Sequence, residues 1–225
     1  MDNLDRQAWR GLIQLQVALA LLLFLPAGTW RYWQGWLYWS AFGGATVAIT
    51  RHFLVHDRDL IARRLKAGPT AERERGQKWI QAAASLLFIG FHVVAGLDHR
   101  FGWSQLAPWW SFLGGVGVLA GFWIVFLTFQ ANGHASAVIE VDEDQQVIST
   151  GPYALIRHPM YAGALLMLSA GALALGSLPA LALTAGLGLA MVFRLLAEER
   201  FLAHQLPGYE AYRAKVRWRL LPGIW

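Results

Sequence analysis

Apolar positions gather into six long runs, covering 11–27, 32–50, 79–97, 108–130, 159–175 and 180–197, with polar segments between them. Each run is about the length a helix needs to cross a bilayer. The pattern predicts an all-α, polytopic integral membrane protein of about six transmembrane helices. The first run is long for the apolar region of a signal peptide and no clean small-x-small cleavage site follows it, so it reads as an uncleaved span. Gly176-Ser177-Leu178-Pro179 is a turn between the last two runs, which makes them a tight helical hairpin. Gly117 and Gly121, four residues apart in the fourth run, mark a face where another helix can approach closely. Trp30-Arg31-Tyr32-Trp33-Gln34-Gly35-Trp36 reads as an aromatic belt at the membrane boundary.

Composition strengthens the membrane reading: 56% of the 225 residues are apolar and 15% are charged. The chain has no cysteine, which excludes disulfides, thiolate metal sites, cysteine nucleophiles and cysteine lipidation. Its net charge of +5 comes from basic residues clustered between the apolar runs, where membrane topology accounts for them better than nucleic-acid binding does. Six spans with both termini in the cytoplasm leave only Arg31 and Arg100, among 19 Lys and Arg residues, on the far side. That orientation puts the start of the fifth run and the end of the sixth on one cytoplasmic face.

Two polar islands fall on that face. The first, Gly151-Pro152-Tyr153-Ala154-Leu155-Ile156-Arg157-His158-Pro159-Met160-Tyr161-Ala162-Gly163, joins a turn to a helix start. His158 precedes a proline and is biased away from the α region, and Pro159 suits the first helical turn. The amides of that turn are expected to face the loop and to favour an anionic group. Arg157 is either part of such a site or an anchor at the lipid headgroups. The second island, Arg194-Leu195-Leu196-Ala197-Glu198-Glu199, closes the last apolar run. Arg194 and Glu198 share a helix face, and Glu199 is turned about 100° from Glu198. Charges so close to hydrocarbon are costly unless they face the protein or a wet cavity. His52 and His56 are a weak metal motif: the other five histidines are dispersed, and a membrane di-iron centre needs about eight in several clusters. There is no Gly-x-Gly-x-x-Gly and no phosphate loop.

Taken in order, Gly151-Pro152-Tyr153, Arg157-His158-Pro159-Met160-Tyr161-Ala162-Gly163, the hairpin, Arg194 with Glu198-Glu199, and Pro207-Gly208-Tyr209-Glu210-Ala211-Tyr212 resemble the isoprenylcysteine carboxyl methyltransferase family. This family belongs with the phospholipid methyltransferases among small membrane enzymes that use S-adenosyl-L-methionine. The resemblance covers roughly 132–225, and Arg64-Leu65-Lys66-Ala67-Gly68-Pro69-Thr70 adds a likeness to bacterial members. It implies one integral membrane domain over 1–225, with a four-span scaffold at 1–130 and a cofactor-binding, catalytic region at 131–225, in a bacterial cytoplasmic membrane. It also implies a cofactor loop containing Glu140, Gln145, Gln146, Val147 and Ile148, and a main cofactor segment of Tyr153, His158, Pro159, Met160 and Tyr161. Glu198 and Glu199 match the paired carboxylates that contact cofactor. Arg194 matches the arginine that holds a substrate carboxylate, so Arg194 and Glu198 are the expected catalytic residues.

These residue types fit methyl transfer. An in-line displacement at a sulfonium needs alignment and a suitable field, with no metal. Carboxylates and tyrosine faces suit a sulfonium and an α-ammonium, and an arginine fork suits an acceptor carboxylate. The expected acceptor is a carboxylate on a lipophilic molecule that enters from the bilayer. One alternative is an amine, as on a phospholipid, for which Glu198 or Glu199 would take the proton. The other is a membrane scaffold or transporter-like protein without catalysis.

Overall fold

A computed structural model describes residues 2–65, 75–135 and 146–225. Among them are eight α-helices and no strand. The helices are α1 (Asn3–Ala27), α2 (Trp33–His56), α3 (Arg58–Leu65), α4 (Arg75–Phe101), α5 (Pro108–Ala131), α6 (Pro159–Ala174), α7 (Leu178–Gln205) and α8 (Tyr209–Lys215). A 3-10 turn, Gly151–Ala154, precedes α6. Helices α1, α4, α5 and α7 are long and apolar enough to cross a membrane, which makes the chain an integral membrane protein. The other two predicted spans differ from these four. α2 has the length but dilutes its apolar residues with tryptophans, Gln34, Arg51 and histidines. α6 has 16 residues, about 24 Å of helix against a hydrocarbon core of about 30 Å.

Polar residues extend the helices past the apolar runs. α1 begins at Asn3 because Asp2 and Asp5 cap it reciprocally: Asp5 N donates to Asp2 Oδ1 at 3.0 Å and Asp2 N to Asp5 Oδ2 at 3.2 Å. α7 continues to Gln205, so Arg194, Glu198 and Glu199 lie inside a helix and project from it at fixed angles. Ser177 caps α7 by accepting from Ala180 N at 3.2 Å, and the turn before it passes through Gly176 at φ 71°.

The tightest contact is between α5 and α6. A Cβ on Gly121 would lie 2.7 Å from Gly163 O, one on Gly163 would lie 2.8 Å from Gly121 O, and one on Gly117 would lie 2.6 Å from Ala170 Cβ. The two backbones therefore touch along the glycine face, and this contact fixes the start of α6 against the end of α5. Elsewhere the core is tied by buried polar pairs. Tyr32 Oη donates to Leu175 O at 2.7 Å. His92 Nδ1 faces Phe88 O at 2.7 Å, and a carbonyl only accepts, so Nε2 is the acceptor for Tyr38 Oη at 3.1 Å.

One end of the bundle is closed by α3. Asp57 caps it by accepting from Leu60 N at 3.0 Å, and Arg58 pairs with Asp2 and Asp5 at the start of α1. Arg63 Nη1 donates to Gly133 O just past α5, at 3.1 Å. The same end holds the start of α6 and the last turns of α7.

Candidate functional site

The site is assembled where α5 and α7 end and α6 begins. Asn132, the C-cap of α5, donates from Nδ2 to Tyr153 Oη at 3.2 Å and accepts from His134 N at 3.0 Å. Tyr212 Oη donates to Tyr153 O at 2.8 Å, so the 3-10 turn is held from α5 on one side and α8 on the other. Burial pushes the Tyr153 hydroxyl up to about 12 and raises those of Tyr209 and Tyr212 as well. All three therefore keep their protons at neutral pH.

The chain after α8 folds back against the entry to α6. Arg157 N donates to Trp218 O at 2.8 Å and His158 N to Arg219 O at 2.9 Å. The two amides that precede Pro159 are therefore taken by carbonyls of the tail, which ties the entry of the helix to the end of the chain.

Glu199, only 4% exposed, lies at the centre of an ion cluster. Its Oε1 meets Arg157 Nη1 at 3.0 Å and His158 Nε2 at 3.2 Å, and its Oε2 meets Arg219 Nε at 3.1 Å. Arg157 also donates from Nη2 to Arg217 O at 3.2 Å, and Arg219 stacks over the Trp225 ring at 5.0 Å. Arg157 is thus buried against a counter-charge, so it is not a headgroup anchor. Burial lowers its pKa, and Glu199 opposes that effect.

Glu198 has a different environment. Its Oε2 accepts from Tyr161 Oη at 2.8 Å, and Tyr161 Oη accepts from Arg194 Nε at 3.0 Å. The tyrosine hydroxyl therefore links arginine to carboxylate. Met160, next to Tyr161, receives Arg64 Nη1 at its sulfur at 3.5 Å, and the Arg64 guanidinium lies over Phe129 at 5.0 Å.

A cavity opens between these groups. Gln146, Val147, Ile148, Tyr153, His158, Pro159, Met160, Tyr161 and Glu198, all expected at the site, line it together. Glu199 lies behind this wall, and Arg194 joins through Tyr161. Glu140 and Gln145 lie outside the described residues. The cavity is completed by Asn132 and His134 after α5, Arg157, Leu202 and Leu206 on the α7 side, and Tyr209 and Tyr212 of α8. Sequence reasoning gave none of these a ligand role, apart from leaving Arg157 open. A signal was available for the tyrosines: three residues apart on a short helix, they present their rings to one side. His52 and His56 stack at 4.2 Å, and among the described residues no group of three or more metal-ligand side chains assembles.

The arrangement offers a carboxylate, tyrosine rings and hydroxyls, and an arginine, within a partly apolar wall. No curated protein matches the chain. Residues 109–207, which hold the α5–α7 walls of the cavity, match the model of the phospholipid methyltransferase family.

Proposed function

We propose that the chain is a membrane methyltransferase that uses S-adenosyl-L-methionine and methylates a carboxylate on a lipophilic acceptor. The observation that carries this reading is the chain Arg194–Tyr161–Glu198 on two helices of the bundle: Tyr161 and Glu198 line the cavity, and Arg194 bonds to the Tyr161 hydroxyl. When bound, the cofactor supplies a methyl group on a sulfonium, open to in-line attack. The donor set fits such a molecule: Glu198 complements an α-ammonium, tyrosine faces complement the sulfonium, and Leu202, Leu206 and Val147 offer apolar surface to the nucleoside. Arg194 orients an acceptor carboxylate, which is nucleophilic when ionised and needs no base. The acceptor enters from the bilayer, and the cavity faces the cytoplasm.

A second reading, transfer to a phospholipid amine, is favoured by the description of the matching family. In it Glu198 accepts the proton that the amine must lose. The test is methyl transfer from labelled cofactor in membranes containing the protein. Base-labile label in the lipid extract supports an ester, and base-stable label on lipid amine overturns it in favour of the second reading. Calorimetry with S-adenosylhomocysteine separates both from a non-catalytic membrane protein: well-folded chain that fails to bind, or binds equally well after His158→Ala and Glu198→Ala, sinks the enzyme assignment.

A further inference from the structure

Tyr209 and Arg157 both line the cavity, are 4% and 8% exposed, and carry polar atoms that no described residue satisfies. The Tyr209 hydroxyl and the Arg157 Nε are without a hydrogen-bond partner among the described residues, although the other two Arg157 nitrogens are engaged by Glu199 and Arg217. A buried donor without a partner is a rare and costly feature, and in a cavity wall it marks where a ligand acceptor belongs. Both atoms are donors: Nε–H of a guanidinium has no lone pair to offer, and the buried phenol keeps its proton. The two residues come from elements 52 positions apart, yet Tyr209 senses the charges of Arg157, Glu199 and Glu198. Around one cavity, then, a carboxylate at Glu198 is set beside a pair of orphan donors. A carboxylate and two hydrogen-bond donors on the wall of one cavity match a zwitterion whose two charges are borne on one carbon.

We infer that Tyr209 Oη and Arg157 Nε form a carboxylate subsite, which holds the α-carboxylate of the cofactor's amino-acid tail while Glu198 holds its ammonium. This rests on the methyltransferase reading above and names two residues that the reading did not use. The Tyr209 hydroxyl makes no bond to any described residue of the free protein, so its gain is realised when the ligand is bound. That separates its role from a structural one: Tyr209→Phe removes an unsatisfied group and breaks no hydrogen bond among the described residues.

The experiment uses full-length protein in detergent, with calorimetry and thermal unfolding. S-adenosylhomocysteine and its analogue lacking the α-carboxylate are compared on wild type and Tyr209→Phe. The expected results are binding of the decarboxylated analogue to wild type about tenfold or more weaker than the parent, and a loss of about fivefold in affinity for the parent in Tyr209→Phe. The variant's affinity for the decarboxylated analogue stays at the wild-type value, and its ligand-free unfolding temperature is equal to or above wild type. Equal losses for both ligands in Tyr209→Phe, no loss for either, or no discrimination between them by wild type overturns the subsite while leaving the methyltransferase reading intact. Absence of any S-adenosylhomocysteine binding by folded wild type overturns both.

Discussion

Replacing Glu199 and Glu198 separately by glutamine distinguishes two adjacent carboxylates that the fold uses in opposite ways. Glu199→Gln leaves Arg157, whose side chain is 6% exposed, with no counter-charge among the described residues, and replaces the carboxylate that faces His158 Nε2. Breaking a buried ion pair costs about 3–5 kcal/mol, because the stranded charge stays desolvated. The Arg219 contact, 27% exposed, is partly screened and adds at most about 1 kcal/mol. Glutamine keeps one carbonyl acceptor, which places the total near the lower bound, about 3 kcal/mol. For a chain of this size that lowers the unfolding temperature by about 6–12 °C. Glu198→Gln weakens one hydrogen bond from a neutral hydroxyl and costs about 1 kcal/mol, or about 2–4 °C, while reducing S-adenosylhomocysteine affinity about tenfold. Intrinsic fluorescence of the 12 tryptophans during heating in detergent, together with calorimetry, reads both effects. Adding Arg157→Met to Glu199→Gln removes the stranded charge and is expected to recover part of the loss. If Glu199→Gln unfolds no earlier than Glu198→Gln, the ion cluster does not hold the site together and the division of roles is wrong.

Further outcomes follow from the same geometry. Gly121→Ala pushes a methyl group against Gly163 O and is expected to cost about 1–3 kcal/mol, whereas Gly44→Ala, which meets nothing within 4 Å in the middle of α2, is expected to be neutral or to gain about 0.5–1 kcal/mol; unfolding midpoints decide. Arg194→Ala is expected to abolish turnover while S-adenosylhomocysteine still binds, and an equal loss of both would move Arg194 into the cofactor pocket. The Tyr153 hydroxyl keeps its proton to about pH 12 in the folded chain, against about 10 when unfolded. Its contribution is therefore intact below pH 10 and is lost as pH rises from about 10 through 12. A plot of unfolding temperature against pH should fall less steeply over that window in Tyr153→Phe.

Sequence periodicity located the helices whose faces meet lipid, because leucine, valine and alanine runs in α1, α4, α5 and α7 have no other stable use in a bilayer. It could not show α3. Only four of its eight residues are apolar, too few for a run, and what identifies them as a helix is a cap at Asp57 and contacts to Asp2, Asp5 and Gly133, all distant in the chain or outside any apolar pattern. The grouping of Tyr153, His158, Tyr161 and Glu198 around one space was legible from ordered motifs. The separation of Glu198 from Glu199 was not: 100° of helix rotation says that they face different ways, and only the returning tail shows that one way is toward Arg157 and Arg219. Arg64 illustrates the same limit. As one of several cations in a polar segment it reads as a topology signal, and its position over Phe129 beside Met160 depends on how α3 crosses the bundle.

The length of α7 has a consequence for the surroundings in which the chemistry takes place. Its 28 residues extend about 42 Å, beyond a hydrocarbon layer of about 30 Å, and Glu198 lies about 30 Å from its first residue. A crossing by α7 that starts at Leu178 is therefore expected to end near the carboxylates, which would tie the depth of Glu198 to the position of this helix in the bilayer. Bilayer thickness is then expected to act on the protein: short-chain lipids would leave Glu198 and Arg194 hydrated, and long-chain lipids would draw them toward hydrocarbon, where their charges cost more.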